Sequence, residues 1–265
     1  MDEPCVNRIT EGIPANHPDR KTMDQYTLLG MLLDDLEKIP DHEITDLVCG
    51  SHLVAVESRV TGLASRVDHD HCGSAQSPPI KCTFESAKKT AQLLLDGDLF
   101  HSSIGLASYN SLLPTPPADS LRAMKAQELI IEYGEGKNVA VIGHFPFVEK
   151  MGSRFRRFWV LERNPKGDDL RAEHAQRVLP SADVVAITAT TLANGTLAGI
   201  LDLVPKHAFK ILLGPSTPLT PALFRMGLDV LAGVLVEDSG QVKRRIRSGC
   251  RFKEMKGIAH VVMIL

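Results

Sequence analysis

From residue 118 onward the chain alternates short apolar runs with stretches of helical character. The apolar runs are continuous, which is typical of parallel strands covered on both faces. Their alternation with helices predicts an α/β fold with a parallel, doubly wound sheet. Right-handed crossovers then place the carboxyl ends of the strands at one edge, where such folds bind ligands. The predicted strands are residues 138–142, 158–161, 184–188, 209–213 and 230–236, and the predicted helices are residues 120–133, 145–152, 169–178, 196–203 and 219–225.

The first half of the chain follows a different pattern. Apolar residues at helical spacing predict a helix near its start, and three β-like runs after it predict a hairpin that continues into a small antiparallel meander. Two further helices follow, and the second carries the small-residue surface 104–108, which suits close packing. The predicted helices are residues 24–39, 84–95 and 98–112, and the β-like runs are residues 44–49, 53–58 and 60–67.

Three prolines separate the two patterns, at Pro114, Pro116 and Pro117. Because proline breaks both helices and strands, the domain boundary is expected here. The sequence thus predicts a loose polar leader over residues 1–22, an α+β domain over residues 23–117 and an α/β domain over residues 118–265.

Composition and charge exclude several classes of function. Hydrophobic residues make up 43% of the chain and charged residues 23%, the balance of an ordinary globular protein. A net charge of -2 offers no attraction to nucleic acid, and the basic runs 154–157 and 243–247 are interpreted as solvated faces. No run approaches the about 18 apolar residues of a membrane span. Five scattered cysteines and no signal-peptide pattern predict a cytoplasmic protein with no membrane insertion.

The first two strand ends of the α/β half carry candidate ligand-binding residues. The first strand runs into Gly143, His144, Phe145 and Pro146, where glycine permits close approach of a ligand and proline suits the first turn of a helix. The exposed amides of that helix start would hold an anion, although a simple tight turn explains the same residues. Glu162 ends the second strand, where Rossmann-like folds place an acid that binds ribose hydroxyls. A surface ion pair with Arg163 is the alternative.

The third and fourth strand ends are rich in hydroxyl and amide side chains. Such side chains cap helices and also bind phosphate or carboxylate groups, and the two roles are compatible. Asn194 and Thr196 are the best capping candidates, and prolines stiffen the fourth loop. No Ser–His–Asp order, nucleophile-elbow or paired-histidine zinc pattern identifies a catalytic residue. The candidates are Thr190, Thr191, Asn194 and Thr196 in the third loop, and Gly214, Pro215, Ser216 and Thr217 in the fourth.

Taken in order, these motifs resemble the family described as "putative heavy-metal chelation". That family typically carries a Gly-x-Phe-Pro turn, an acid with a nearby proline, a Thr-Thr-x-x-Asn-x-Thr segment and a Gly-Pro-Ser/Thr-x-Pro loop. Here the four motifs are residues 143–146, 162–165, 190–196 and 214–218, and the resemblance extends upstream to residues 104–107 with Asn110.

The resemblance implies an N-terminal domain similar to the enolase N-terminal fold, followed by a Rossmann-like domain akin to methyltransferases. It also implies a ligand site between the two domains and a role in handling heavy metals, or in making a chelator, pterin, flavin or siderophore-like molecule. The chain departs from the family in its leader and in the insert 68–72. His144, at the variable position of the Gly-x-Phe-Pro turn, offers an imidazole that serves as acid, base or ligand.

Three functions therefore stay open. The first is a protein that binds a nucleotide-, SAM- or pterin-like ligand, or a heavy metal held through a chelator, in the interdomain cleft. It includes enzymes with condensation, hydrolysis or methyltransferase-type activity, since the sequence does not decide whether catalysis occurs. The second is direct metal binding, for which Asp68-His69-Asp70-His71-Cys72 offers ligands, although a solvated turn explains this segment and no metal ligand is assigned. The third is a non-catalytic interaction module. Homo-oligomerisation also stays open.

Overall fold

The computed structural model describes residues 23–68 and 86–264, which form a small antiparallel sheet and a large, mostly parallel one. The small sheet is the predicted meander, in the order β1-β2-β3, and each strand pairs antiparallel with its neighbour. Helices precede and follow it. The elements of this part are α1 (Gln25–Leu36), β1 (Asp46–Cys49), β2 (Leu53–Glu57), β3 (Thr61–Ser65), α2 (Ala87–Ala91) and α3 (Leu99–Leu112).

Helix α3 is buried over most of its length because it packs directly on β2 and β3. Gly62 makes this approach possible: a Cβ atom there would lie 2.1 Å from the carbonyl oxygen of Ala107 on α3. Gly105 on the opposite side of the helix is equally close to the turn after α2, where a Cβ would lie 2.5 Å from the amide nitrogen of Leu94. The small-residue surface of α3 thus fixes its distance to both neighbours.

The large sheet has eight strands in the order β4-β11-β10-β9-β8-β5-β6-β7. The six strands from β7 to β10 are parallel, and their order is that of dinucleotide-binding folds, reversing between β5 and β8. The elements are β4 (Leu121–Arg122), α4 (Ala126–Gly134), β5 (Asn138–Ile142), β6 (Arg157–Glu162), β7 (Leu170–Arg171), α5 (Ala175–Val178), β8 (Val184–Thr188), α6 (Thr190–Ala193), α7 (Leu197–Leu203), β9 (Phe209–Leu213), α8 (Pro221–Arg225), β10 (Val230–Val236), α9 (Ser239–Arg247) and β11 (Ile258–Ile264).

The predicted fold class is confirmed, with an antiparallel addition at one edge. Strand β11 runs antiparallel to β10, and β4 runs antiparallel to β11. Two hydrophobic cores cover the faces of the sheet. Along β5, Ala140 and Ile142 pack toward one core and Val139 and Val141 toward the other. Because successive side chains point to opposite faces of the sheet, a cavity at the strand ends lies on one face or the other.

Three of the predicted helices are wrong in part. The predicted helix 120–133 begins with β4, which pairs with β11, so the helix starts only at Ala126. The predicted helix 169–178 likewise begins with β7, which pairs with β6, and α-helix is confined to its last turn. The predicted helix 145–152 contains only short 3₁₀ turns, because Val148 and Met151 turn inward to the core beneath the sheet. Sheet pairing and core packing override local propensity at these places.

Helix α9 and strand β11 were not predicted, and α9 connects the two sheets. It packs on the outer face of the small sheet, where Val242 and Ile246 bury against Val48, Leu53 and Leu63. The small sheet is therefore enclosed between α3 on one face and α9 on the other. Helix α1 also contacts α7 and α8 of the large sheet. The domain division near residue 117 stays a prediction. Across the described ranges, no helix is long and apolar enough to cross a membrane.

Candidate ligand-binding site

A cavity of about 340 Å³ opens where the strand order reverses, at the carboxyl ends of β5, β6 and β8. We name it the switch-point cavity. Parallel α/β sheets bind ligands at this position because the neighbouring crossovers lie on opposite faces and leave a crevice. Its lining residues are Arg66, Val67, Ile142, Gly143, His144, Phe145, Leu161, Glu162, Arg163, Ala172, Ala175, Thr188, Thr190, Thr191, Asn194, Thr196 and Ile200.

The loop after β5 is held against the end of β6 by Glu162. One carboxylate oxygen of Glu162 accepts a hydrogen bond from the backbone N–H of His144 at 2.8 Å, and the other accepts from the backbone N–H of Arg163 at 2.7 Å. Gly143 precedes this contact with φ of 102°, in the region that favours glycine. Because the chain makes a turn here that leads only into short 3₁₀ turns, the predicted α-helix start with its anion site is not formed. Glu162 keeps lone pairs for a ligand hydroxyl, since a carboxylate accepts about four hydrogen bonds.

The loop after β8 brings a group of short polar side chains to the same cavity. The hydroxyl oxygens of Thr188 and Thr190 lie 3.0 Å apart, and the hydroxyl of Thr191 donates to the carbonyl of Thr188 at 2.7 Å. The hydroxyl of Thr196 donates to the Oδ1 atom of Asn194 at 2.6 Å. Within the described residues, this leaves the Nδ2 amide of Asn194 available to donate to a ligand.

Thr196 occupies the N-cap position of α7, as predicted, but the predicted side-chain capping by Asn194 and Thr196 is not formed. Neither side chain bonds to the first turn of α7, and Gln25 of α1 does so instead: its Oε1 atom accepts from the backbone N–H of Ala198 at 2.9 Å. Its Nε2 atom donates to the carbonyl of Leu192 at 3.3 Å. Since the cap comes from a distant helix, Asn194 is left facing the cavity.

His144 has both ring nitrogens near carboxylates of its own chain. Its Nδ1 atom lies 2.7 Å from Oδ2 of Asp169, which also accepts from the backbone N–H of Lys166. Its Nε2 atom lies 3.9 Å from a carboxylate oxygen of the exposed Glu149. The contact between Nδ1 and Asp169 fixes the orientation of the ring. His144 thus lies at the wall of the cavity in an orientation set by Asp169.

Arg66 and Val67 enter the switch-point cavity from the N-terminal part and were not predicted. The guanidinium of Arg66 forms a two-point ion pair with Asp68 and lies 4.5 Å from the centre of the Phe100 ring. Nothing in the local sequence marks Arg66, because it reaches the cavity only through the docking of β3 onto the large sheet. The second part of the insert, residues 69–72, lies outside the described residues.

Several predicted residues line a second cavity of about 250 Å³, between β3, the proline-rich segment and β10. We name it the linker cavity. Asn110 and Thr217 line it, and Asn110 donates to the carbonyls of Leu63 at 2.8 Å and Ser216 at 3.2 Å. The Oδ1 atom of Asn110 and the hydroxyl of Thr217 are buried without a hydrogen-bond partner. Buried polar atoms of this kind normally form hydrogen bonds, so an ordered water or a polar group of a ligand would satisfy them.

Ser216 is placed in neither cavity. It is 1% exposed, and its hydroxyl oxygen accepts from the backbone N–H of Ser65 at the end of β3 at 2.7 Å. The side chain therefore joins the small sheet to the loop after β9.

The remaining predicted residues line a third cavity, of about 510 Å³, which we name the aromatic cavity. It lies above the opposite face of the large sheet, because its walls include Leu213 and Ala232 from the second core. Phe145 lines this cavity as well as the switch-point cavity, so the two are separated by that side chain. The predicted residues found here are Phe145, Pro146, Gly214 and Pro215.

Within residues 23–68 and 86–264, no group of three His, Cys, Asp or Glu side chains lies close enough together to hold a metal ion. The switch-point cavity offers hydroxyls, an amide and one carboxylate, which are hard ligands, and a single imidazole, that of His144, with no thiolate among the described lining residues. Soft heavy metals prefer thiolate ligands, and one imidazole alone does not complete a metal site. The donor set of this cavity therefore suits an organic molecule.

Two family models match the chain. A model described as "Putative heavy-metal chelation" (DUF364) matches residues 125–264, and another with the same description (DUF4213) matches residues 33–113. An uncharacterized protein of Methanocaldococcus jannaschii is 29% identical over 147 residues. That alignment covers 53% of this chain and 57% of the relative, so the chain matches little more than half of the relative's length.

Two solved structures share the fold, both of DUF364-family proteins with unknown function. The protein from Desulfitobacterium hafniense is 23% identical with a TM-score of 0.80, and the match covers 91% of this chain and 99% of that one. The protein from Pyrococcus horikoshii is 20% identical with a TM-score of 0.76, over 90% of this chain and 100% of that one. At these identities the likeness shows a common fold.

Proposed function

Because the chain belongs to the DUF364 family, described as "Putative heavy-metal chelation", we propose that it acts on heavy metals through a small organic chelator. The chelator, of pterin, flavin or siderophore-like chemistry, binds in the switch-point cavity. The observation that carries the proposal is the convergence of three polar strand ends on one cavity at the reversal of strand order. A cavity of about 340 Å³ is in the range that holds small ligands.

The polar groups of the cavity define what the ligand must offer. Glu162 accepts hydrogen bonds, so it favours a ligand with hydroxyl or ring N–H donors. The Nδ2 amide of Asn194 and the hydroxyl of Thr190 donate to ligand oxygens on the other side. Chelators carry both kinds of group, and their own oxygen or nitrogen atoms would bind the metal.

The experiment is native mass spectrometry of protein purified without added chelator from cells grown with Zn²⁺ or Cd²⁺, combined with elemental analysis. We expect an added organic mass together with the metal, and loss of both in the variant Thr190→Val/Asn194→Ala. Ser248→Ala, an exposed change distant from the cavity, is the matched control and should retain both. Stoichiometric metal without an organic mass would contradict the proposal and support direct chelation by side chains.

A panel of free ligands provides a second measurement that does not depend on copurification. Catecholate, hydroxamate and pterin compounds would be added to metal-free protein and the melting temperature recorded. Saturation at about 100 times the dissociation constant stabilises the folded state by about 2.7 kcal/mol. A stabilisation that Thr190→Val/Asn194→Ala abolishes supports the proposal, and absence of any shift across the panel counts against it.

A further inference from the structure

The aromatic cavity is larger than the switch-point cavity and differs from it in chemistry. Two pairs of rings form part of its wall. Phe145 and Phe147 are stacked with ring centres 5.2 Å apart and planes 6° apart, and Phe252 meets His260 edge-on at 5.7 Å. The two pairs come from the loop after β5 and from the end of the chain around β11. Side chains distant in sequence thus provide flat ring surfaces to one cavity.

Positive charge surrounds these rings. Lys125, Lys150 and Lys253 all line the cavity and are exposed, and its lining residues include no Asp or Glu. Within the described residues, none of the three ammonium groups forms an ion pair. Desolvation by the surrounding wall, assisted by the charge of Lys125, lowers the pKa of His260. Three like charges at one cavity create a positive potential there. That potential attracts an anion, and a bound anion also relieves the repulsion between the lysines.

We propose that the aromatic cavity binds a planar aromatic anion, such as a bicyclic aromatic carboxylate, as a site separate from the switch-point cavity. The ring system of the ligand lies against Phe145, Phe147 and Phe252, where aromatic rings gain from offset stacking or edge contacts. Its acidic group lies at the rim among the three lysines. The cavity volume of about 510 Å³ accommodates a ligand of two or three fused rings.

The proposal is tested with 2-naphthoate as the probe and isothermal titration calorimetry as the measurement. The cationic analogue 2-naphthylmethylammonium has the same ring system and the opposite charge. We expect 2-naphthoate to bind and the cation to bind at least about tenfold more weakly. The variant Lys125→Gln/Lys150→Gln/Lys253→Gln should weaken 2-naphthoate by about tenfold or more and leave the cation no weaker.

A matched variant separates a local effect from the overall charge. Lys89→Gln/Lys137→Gln/Lys206→Gln removes the same charge from exposed lysines elsewhere, and it should leave the affinity for 2-naphthoate unchanged. Phe147→Ala should weaken both probes, because the ring contact does not depend on charge. Equal loss in the two triple variants, or no binding of 2-naphthoate at millimolar concentration, would overturn the proposal.

Thr190→Val/Asn194→Ala changes the switch-point cavity alone. We expect this variant to bind 2-naphthoate as the unmodified protein does. Loss of 2-naphthoate binding in it would show that the probe occupies the switch-point cavity and would overturn the separate site. Failure of the chelator experiments would leave this result unaffected.

Discussion

Glu162 and His144 are joined by a 2.8 Å hydrogen bond from the backbone N–H of His144 to the Glu162 carboxylate. The bond links the ends of two adjacent strands, β5 and β6, at the mouth of the switch-point cavity. The carboxylate that the sequence identifies as a ligand acceptor therefore also holds the loop that forms the cavity wall. The residue predicted to bind a ligand thus also holds the local backbone.

We expect Glu162→Ala to lower the free energy of unfolding by about 1–3 kcal/mol, because the amides of His144 and Arg163 lose their acceptor. Glu162→Gln keeps one acceptor oxygen and should cost less. Urea unfolding followed by circular dichroism measures both. If Glu162→Ala unfolds at the same urea concentration as the parent, the carboxylate does not stabilise the loop after β5.

Gly62 provides a sharper test of packing. Gly62→Ala places a methyl group 2.1 Å from a backbone oxygen of α3, and backbone cannot move aside cheaply. We expect a loss of about 2 kcal/mol or more in thermal unfolding. The control is Gly199→Ala on the exposed side of α7, where nothing lies within 4 Å, and helix propensity should stabilise the protein by about 0.5–1 kcal/mol. Equal effects would contradict the close approach of α3 to β3.

Ser216 tests the connection between the two sheets. Ser216→Ala leaves the backbone N–H of Ser65 without its acceptor in a partly buried position, and we expect it to cost about 1–3 kcal/mol. Ser248→Ala removes an exposed hydroxyl and should stay within about 0.5 kcal/mol of the parent. Hydrogen exchange at Ser65 should accelerate in Ser216→Ala alone. An unchanged exchange rate there would show that the hydroxyl is not the acceptor in solution.

The ion cluster around Lys243 predicts a pH dependence of stability. A hydrogen bond from Lys243 lowers the pKa of Asp46 in the folded state. The resulting stabilisation is present above the unfolded pKa of about 3.9, and it is lost as the pH falls through the lower folded pKa. Hydrogen bonding to Glu57 raises the pKa of Lys243, so the contribution of the lysine is complete below about 10.4 and is lost as the pH rises through the higher folded value.

We therefore expect Lys243→Met to lower the free energy of unfolding by about 1 kcal/mol near neutral pH. The difference from the parent should shrink as the pH falls below the unfolded value of about 3.9 and through the lowered pKa of Asp46 in the folded state. Lys89→Met, at an exposed lysine without an ion pair among the described residues, is the control and should show no such trend. If Lys243→Met lowers the free energy of unfolding by the same amount at acidic and neutral pH, the loss comes from packing of the lysine stem and not from its ion pairs.

The central strands were predictable because each is a continuous apolar run between polar loops. β5, β8, β9 and β10 have the bounds that the sequence predicts, and the polar strand ends follow directly from them. The positions of Gly143, Glu162, Thr190 and Asn194 around one cavity follow from parallel topology alone. That part of the candidate site depends on nothing beyond local pattern and handedness.

The rest depends on contacts between distant segments. Arg66 reaches the switch-point cavity only because β3 docks on the large sheet, and Gln25 caps a helix that begins more than 170 positions later. Ser216 and Thr217 are neighbours in the same predicted motif, but the hydroxyl of Ser216 is buried and accepts a hydrogen bond from Ser65. No local pattern distinguishes a hydroxyl that faces a ligand from one that joins two sheets.

The enclosure of the small sheet between α3 and α9 has a consequence for synthesis. The residues that cover its outer face, Val242 and Ile246, leave the ribosome about 130 positions after the sheet and α3 are complete, which is roughly 6 to 26 seconds at the usual rates of translation. Throughout that interval Val48, Leu53 and Leu63 lack the cover that α9 gives them in the described structure. The outer face of the small sheet is therefore completed late, only after most of the chain has been synthesised.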